Sequence, residues 1–500
     1  MLKTKSWGVL FALSLLFVAG RLGLYGMLMD SVAARDTSSY FACASADFTK
    51  VEAYECQRSA TIPFLISILI PDQEVELTVI SEPFFGSEPE LAVQPGTQRL
   101  VIFQNLLSIF SWLIFTLTVV CLLRHDLSRI LAAVLCYGFA FVPQLADWDS
   151  ILLSESVSFS FFILMCAFLL LFLQAVFSYK SILERFIFAL LLFISAAFWL
   201  FTRDTNAYFI ALMALVFLVI VLIGAFWQNR FLGLTLLLSV SFAGGFVFHQ
   251  ITFRNSECWV VPFLNNMTGN VFSYPDRVAF FEKAGMPVSE SLLTQSGSAE
   301  YNTLLQQPEF MAWARDRGLN TYTKFLIDRP LWTVQQFYFA LDSFFEENIQ
   351  PFFYGKPEEK PHWANRVGNF LHPLSVVVIP IDLFLLLMLA IHAQRRRSAS
   401  TLTLLVFSFL LTGGGLLLTA VAYHGEVRSV WRHVLVGVMP LRLALWIMTA
   451  ALVDEALETL PAAPIISRLG SPLNQAESGK ILSNKTMNSP QTGTETGESA

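Results

Sequence analysis

Residues 147–177 combine an acidic edge with a long apolar run, Asp147-Trp148-Asp149-Ser150 followed by ILLSESVSFSFFILMCAFLLLFLQAVF. The run is long enough to cross a bilayer as one helix, near residues 150–178. Glu155 lies more than one turn inside it, where an unpaired carboxylate is costly, so its side chain must face protein or a wet cavity. Because similar runs recur along the chain, the sequence predicts an all-α polytopic membrane protein with about ten transmembrane helices and two large extracytoplasmic loops.

The composition supports a membrane protein and excludes one class of partner. Hydrophobic residues make up 55% of the 500 residues, charged residues make up 14%, and the mean hydropathy is +0.58. This is more apolar than a soluble core of the same length requires. The formal net charge of -6 offers no basic surface, so we expect no nucleic-acid partner.

Histidine and cysteine spacing predicts no metal or cofactor. The seven histidines are scattered, and no pair of cysteines has the spacing of a metal site. Asp147 and Asp149 leave a divalent cation open as a weaker alternative. Cys43 and Cys56 share one predicted external loop and could pair in an oxidising compartment, which would leave Cys258 unpaired.

The basic residues of the short connections orient the predicted helices. They fall on one side of the membrane, which is therefore the cytoplasm, and both chain termini lie there. These residues are Lys3, Lys5, Arg124, Arg129, Lys180, Arg185, Arg230 and Arg395 to Arg397. The helices are predicted near residues 7–28, 99–123, 130–146, 150–178, 186–202, 207–227, 231–253, 372–393, 400–423 and 433–453.

This topology divides the chain into four parts. Residues 1–253 form an N-terminal transmembrane module, which includes a first external loop at residues 29–98. Residues 254–371 form a large extracytoplasmic loop with helical pieces of its own. The C-terminal transmembrane helices occupy residues 372–453. Residues 454–500 are predicted as a disordered cytoplasmic tail because Pro, Ser, Asn, Gly and Thr dominate there.

Charged residues from several separate connections are predicted at the extracytoplasmic membrane edge. Each has an ordinary explanation, since Asp36 can cap a helix, Asp204 can pair locally, and arginines beside Trp431 can extend to the interface. Their common side favours a site, because a carboxylate base next to cations suits transfer from a phosphate-linked donor. Arg428 and Arg432, at i and i+4 of one predicted helix face, suit a doubly charged phosphate. The candidates are Asp36, Tyr40, Asp147, Asp149, Glu155, Arg203, Asp204, Arg428 and Arg432.

Four stretches match, in order and position, the pattern of one superfamily of membrane enzymes. They are Asp36 to Tyr40 at the start of the first external loop, Leu152-Leu153-Ser154-Glu155 at the fourth helix, the loop of residues 254–371, and the turn from Arg428 to His433. Together they resemble the GT-C membrane glycosyltransferases, with the protein O-mannosyltransferase and aminoarabinose transferase branches closest in layout. The Trp-Trp-Asp signature of oligosaccharyltransferases is missing from the sequence, which argues against that branch.

The resemblance implies an enzyme that transfers a sugar from a polyprenyl-phosphate carrier to an acceptor hydroxyl on the extracytoplasmic side, with inversion. The acceptor could be a glycan, a lipid or a protein. Asp36 would act as the general base, while Asp149 and Glu155 would orient the acceptor or the base. Three arginines would bind the lipid phosphate, and further side chains would contact the substrate. These are Arg203, Arg428 and Arg432 for the phosphate, and Tyr40, Asp147 and Asp204 for the substrate.

A transporter or flippase of a lipid-linked or anionic solute is the alternative hypothesis. Such a protein should place charged or helix-breaking residues near mid-membrane, on both sides of the path. The main break in the apolar runs is Gly413-Gly414-Gly415, and small residues there more often let helices pack closely. The predicted charges cluster at one membrane edge, which favours the enzyme. The lack of an ER retrieval signal favours a bacterial plasma membrane.

Overall fold

The computed structural model describes residues 2–26, 31–34, 36–70, 75, 77, 96–178, 180–226, 232–297, 302–346, 350, 362–428 and 430–459. Within these ranges nine helices are long and apolar enough to cross a membrane, or ten if one bent pair counts as a span. No strand occurs in the described part beyond a lone parallel bridge between Val32 and Ile151. The predicted all-α polytopic fold is confirmed. Most of the predicted tail, residues 460–500, lies outside the described residues.

Ten helices precede the large loop. They are α1 (Leu2–Arg21), α2 (Thr37–Cys43), α3 (Thr61–Leu69), α4 (Gln98–Leu122), α5 (Asp126–Phe141), α6 (Pro143–Ala146), α7 (Ser154–Phe177), α8 (Ile182–Leu200), α9 (Asn206–Phe226) and α10 (Gly233–Asn255). A π-helical turn at Leu22–Gly26 extends α1, and short 3-10 helices lie at Val51–Glu55 and Asp147–Ser150.

The third predicted span differs from the expected straight helix. Between α5 and the segment Pro143–Ser150 the axis bends by 53°. Pro143 is the cause, because proline has no amide hydrogen to continue the α-helical hydrogen bonds and its ring disfavours helix in the preceding residue. Val142 accordingly has extended backbone angles, and Pro143 starts the next helix. The bend places Asp147 to Ser150 beside the start of α7.

The large loop is helical, and the last three long helices follow it. Its helices are α11 (Val260–Asn266), α12 (Pro275–Lys283), α13 (Glu290–Leu293), α14 (Asn302–Leu305), α15 (Pro308–Trp313), α16 (Leu319–Asp328), α17 (Pro330–Glu346) and α18 (His362–Leu371), with π-helical turns at Met267–Val271 and Ala314–Gly318. An aromatic cluster that includes Phe263, Phe281 and Phe325 forms their core. The chain then continues through α19 (Val378–Arg396), α20 (Ala399–Gly425) and α21 (Val430–Thr459).

The bundle is organised around α7. Nearly every residue of α7 is buried, and it packs against α4, α8 and α20. A helix that is apolar on all sides belongs at the centre of a bundle, which explains why the run that contains Glu155 shows no polar face.

The start of α8 is fixed by a capping box, in which the amide of Glu184 donates to Ser181 Oγ and the amide of Ser181 donates to the Glu184 carboxylate.

The end of α21 is held by an ionic network. The backbone amide of Arg124 donates to Asp454 Oδ1 at 3.0 Å, and Arg396 Nε lies 3.5 Å from Glu455 Oε2. These contacts join α21 to the segment that follows α4 and to the C-terminal end of α19. They also explain why the helix continues to Thr459, past the predicted end at residue 453, since carboxylates paired with guanidinium groups can be buried.

Helices α20 and α21 are closely packed where they cross at Gly415 and Gly437. A Cβ atom on Gly437 would lie 2.5 Å from the amide nitrogen of Thr419 and 2.6 Å from the carbonyl oxygen of Gly415. We therefore expect Gly437→Ala to destabilise the protein by about 1–3 kcal/mol through overpacking. A lower apparent unfolding temperature in detergent would report it.

Gly413→Ala is the matched control for this crossing. Nothing lies within 4 Å of a Cβ atom built on Gly413, which is also inside α20. This substitution should leave the unfolding temperature unchanged or raise it slightly, because alanine favours the helix. Equal losses for the two variants would contradict the close packing at Gly437.

Candidate functional site

Asp36 is placed by a short segment that packs beside the start of α7. The amide of Val32 donates to the Ser150 carbonyl at 2.9 Å, and the amide of Leu152 donates back to the Val32 carbonyl at 2.9 Å. Thr37 Oγ1 donates to the Leu152 carbonyl at 2.9 Å. These hydrogen bonds fix the residues around Asp36 against the segment that leads into Glu155.

A disulfide holds the other side of the same loop. Cys43, at the end of α2, is bonded to Cys56, as the sequence allowed, and Cys258 is a free thiol that donates to the Cys56 carbonyl. The disulfide brings Arg58 back toward the start of α2. There Arg58 Nη2 donates to Asp36 Oδ1 at 2.7 Å.

Five charged side chains from separate parts of the chain meet here, and we call them the ionic cluster. Asp36 Oδ2 lies 2.9 Å from Arg432 Nη1, at the start of α21. Arg432 Nε donates to Glu155 Oε1 at 2.6 Å, and Arg203 Nη1 donates to the same oxygen at 3.4 Å. With Arg58 the cluster holds three guanidinium groups and two carboxylates, a formal charge of +1. The cluster therefore has cationic charge available for an anion.

Burial differs sharply within the ionic cluster. The Glu155 side chain is 0% exposed, whereas those of Asp36 and Arg58 are each 28% exposed. Glu155 Oε2 has no hydrogen-bond partner in the described part of the chain, so the two guanidinium groups on Oε1 compensate its buried charge. Glu155 thus holds arginines in place, and the half-exposed Asp36 and Arg58 form the accessible side.

The pKa of the Asp36 carboxyl is set by opposing effects. Burial by itself would raise this pKa, but the positive charges of Arg432 and Arg58 and their hydrogen bonds lower it to about 2. Asp36 is therefore ionised throughout the neutral range and can accept a proton or a hydrogen bond. It is also a weak base, which limits how early in a reaction it can take a proton.

Tyr40 and Asp204 lie next to Arg58. The Arg58 guanidinium carbon is 5.2 Å from the centre of the buried Tyr40 ring, so in this arrangement the ring contacts the cluster's arginine. Asp204 Oδ1 accepts a hydrogen bond from Ser59 Oγ at 2.8 Å and lies 3.7 Å from His249 Nε2. Asp204 lines a small cleft together with Tyr54, Arg58, Ser59, His249 and Cys258.

Asp149 makes its contacts outside the ionic cluster, and the orienting role of Asp149 and the substrate role of Asp147 stay predictions. The Asp149 carboxylate is paired with Arg21 of α1 and accepts a hydrogen bond from Ser156. The Arg21 guanidinium carbon lies 5.5 Å from the centre of the Tyr25 ring, and Asp147 is buried in the 3-10 helix that also carries Asp149. Asp149 therefore connects α1 with α7, because a buried guanidinium needs a buried carboxylate.

Arg428 is not on a helix face with Arg432, contrary to the i, i+4 prediction. It lies in the turn between α20 and α21, and α21 begins only at Val430. Its backbone amide donates to Glu426 Oε1 at 2.9 Å. Asn265 Nδ2 of the large loop contacts both Glu426 oxygens, at 3.0 and 3.2 Å, and burial raises the pKa of the Glu426 carboxyl to about 7.

The sequence interpretation missed Arg58, Arg21 and His433. His433 Nδ1 lies 3.5 Å from Arg203 Nη2. The position of Arg58, two residues after a cysteine of the predicted disulfide, was a usable signal. The position of Arg21 at the end of an apolar span was a second signal, because a cation there needs a partner. No group of three His, Cys, Asp or Glu residues suited to a metal was found among the described residues.

The different burial of the arginines in the ionic cluster predicts that their substitution destabilises the protein to different extents. Arg432→Gln removes one of two cations that compensate the buried Glu155, so we expect a loss of about 3–5 kcal/mol. Arg58→Gln removes a half-exposed partner of Asp36, and we expect a loss of about 1 kcal/mol or less. Apparent unfolding temperatures of both purified variants would check this order, which equal losses would contradict.

The chain matches no protein-family model and no curated protein, but it matches solved structures. One is the archaeal oligosaccharyltransferase AglB from Archaeoglobus fulgidus in complex with an inhibitory peptide and a dolichol-phosphate, with a TM-score of 0.41, 12% identity, and 92% of this chain and 52% of that chain covered. Another is the apo form of the Archaeoglobus fulgidus oligosaccharyltransferase, with a TM-score of 0.41 and 12% identity. That match covers 90% of this chain and 52% of the oligosaccharyltransferase chain. The chain spans about half the length of these proteins.

Proposed function

We propose that the protein is a membrane glycosyltransferase that transfers a sugar from a polyprenyl-phosphate carrier to an acceptor hydroxyl on the extracytoplasmic side. One observation carries the proposal: the Asp36 carboxylate lies between the guanidinium groups of Arg58 and Arg432, at 2.7 and 2.9 Å, where the chain leaves the apolar bundle. A base beside a surplus of cations at a membrane edge is what a phosphate-linked lipid donor requires.

The proposed step is a direct displacement. The acceptor oxygen forms a bond to the anomeric carbon while the bond from that carbon to the phosphate oxygen breaks, and the phosphate leaves with the electron pair. Attack from the face opposite the phosphate inverts the configuration. The hydroxyl proton passes to Asp36. Because a hydroxyl oxygen that has bonded to carbon is a far stronger acid than a free hydroxyl, a weak base suffices late in the step.

The arginines of the ionic cluster would bind the donor phosphate. Arg58 is the most exposed of the three, whereas Arg432 and Arg203 are largely buried and held by Glu155. In this mechanism Glu155 positions arginines and does not contact the acceptor. Charge that develops on the leaving phosphate is stabilised by groups already in place. The backbone amide of Arg428 contacts Glu426, outside the ionic cluster. The role of Arg428 as a phosphate ligand stays a prediction.

The transporter hypothesis gains support from two buried ionisable side chains within the spans. Asp382 of α19 is 0% exposed, and both of its carboxylate oxygens are without a partner in the described part of the chain. Arg442 of α21 is 1% exposed, and among the described residues it donates to the carbonyls of Pro373 and Phe345. Intramembrane charges of this kind mark ion or solute paths in many transporters. The ionic cluster at the bundle end nevertheless favours the enzyme.

Asp36→Asn tests the proposed base. Purified protein would be incubated with a panel of polyprenyl-phosphate sugars, and release of polyprenyl phosphate together with sugar transfer would be measured. Loss of a general base should lower the rate by about 10²–10⁴-fold while the variant stays folded in detergent. Near-normal transfer would remove Asp36 from this role, and carrier movement across vesicles without sugar release would favour the transporter.

Asp47→Asn is the matched control for this substitution. Asp47 lies in the same loop, its side chain is half exposed, and it contacts Thr49 and Lys50 away from the ionic cluster. The same change of a carboxylate to an amide should therefore leave transfer unchanged. A loss comparable to that of Asp36→Asn would point to a general effect of charge in the loop.

The pH dependence of transfer gives an independent test. A base is active above its pKa and is lost as the pH falls through it, so with a pKa of about 2 the Asp36 base should give a flat profile from about pH 5 to 8. Arg58→Gln removes one of the two charges that lower this pKa. The pKa should rise, and the loss of activity should begin at a higher pH.

Values of kcat/KM measured from about pH 3 to 8 would show whether the decline at low pH begins at a higher pH in the variant than in the unchanged protein. Arg315→Gln serves as the control, because Arg315 is exposed in the large loop and is paired with the exposed Glu257. Its profile should match that of the unchanged protein. An acid limb that stays in place in Arg58→Gln would show that the titrating base is not Asp36.

A further inference from the structure

Helices α16 and α17 expose a concentration of large apolar side chains. We call Ile327, Leu331, Val334, Tyr338 and Phe339 the apolar patch, and each is 65–78% exposed. Leu331, Val334 and Tyr338 follow the spacing i, i+3 and i+7 and so share one face of α17. The preceding part of the loop instead keeps its aromatic rings in a core of its own. Clustered exposed apolar side chains mark an interaction surface.

The C-terminal half of α17 packs against the ends of the long helices. Phe344 and Phe345 are buried with Val378 of α19, Ala422 of α20 and Val434 of α21. The Phe344 ring centre lies 5.2 Å from that of Tyr423, and Phe337 lies 6.2 Å from it. This contact attaches α17 at the level where three long apolar helices begin or end, which is the level of a membrane surface.

The N-terminal end of α19 also exposes apolar side chains. Val377, at the N-cap of α19, and Ile381 and Phe384, in its first two turns, are exposed, as side chains that face lipid are expected to be. Val376 and Ile379 in the same region pack on the cluster that holds the end of α17. Helices α17 and α19 therefore meet at this cluster, and each exposes apolar side chains. Exposed Asp342 and Glu346 mark the polar end of this helix.

We propose that the apolar patch is inserted among the lipid acyl chains of the membrane leaflet at the Asp36 end of the bundle. Helix α17 then lies in the membrane interface, with its aromatic and aliphatic side chains in lipid and its terminal carboxylates in the headgroup region. Tyrosine is enriched at this depth, because its ring is apolar and its hydroxyl can reach water. The proposal rests on packing and exposure and is independent of the proposed enzymatic activity.

Fluorescence quenching from within the bilayer tests this position. Single cysteines would be introduced by Leu331→Cys and by Tyr338→Cys in full-length protein that carries Cys121→Ser and Cys258→Ser, labelled with bimane without reductant so that the disulfide stays intact. After reconstitution into phosphatidylcholine vesicles, nitroxide-labelled phosphatidylcholine should remove about half of the fluorescence or more at both positions. Acrylamide in the aqueous phase should have little effect.

Lys283→Cys in the same background is the control, because Lys283 is an exposed polar residue of α12 in the same loop. Its label should respond to acrylamide and not to the lipid nitroxide. Labels at 331 and 338 that respond only to acrylamide would overturn the proposal and leave the patch to a soluble partner. Shielding from both quenchers that appears only at high protein density would assign it to a second copy of the chain. Elution as a single species in detergent would show that each variant is folded.

Discussion

The guanidinium group of Arg432 joins three parts of the chain that are remote in sequence. It reaches Glu155 at the start of α7 and Asp36 ahead of α2, and it is itself carried by the first turn of α21. Because Glu155 is fully buried, its charge is tolerable only while guanidinium groups contact it. The approach of α21 to α7 therefore depends on an ion pair, and the same guanidinium group also contacts Asp36, whose neighbouring backbone is held by hydrogen bonds to the segment before α7.

The loop that carries Asp36 is held at both of its ends, although it contains only short helices. Backbone hydrogen bonds between Val32 and the segment before α7 hold one end, and the disulfide from Cys43 to Cys56 holds the other. A loop constrained in this way can position a reactive side chain as well as a helix does. The exposed fractions then show the direction of access, since Asp36 and Arg58 are the accessible members and Glu155 lies behind them.

The large loop is connected to the same region through the turn between α20 and α21. Asn265 contacts the buried Glu426, Asn266 Nδ2 donates to the carbonyls of His424 and Gly425, and Tyr322 donates to the His424 carbonyl. This turn leads directly into Arg432. A change in how the loop packs would therefore shift the start of α21 and, with it, the ionic cluster.

The sequence by itself determined the helical fold, the number of long apolar runs and the placement of Asp36, Glu155, Arg203 and Arg432 at one end of the bundle. These properties are local, because apolar length makes a membrane helix and alternation along the chain decides the end at which each connection lies. Only the tertiary structure decided which charges are partners. Asp149 is paired with Arg21 and not with a member of the ionic cluster. Arg58 contacts Asp36 directly, because the disulfide at Cys56 holds its part of the loop near the start of α2. Arg428 and Arg432 are separated because α21 starts at Val430. Ion pairs join residues that are far apart in sequence, so their geometry follows from helix packing and not from spacing along the chain.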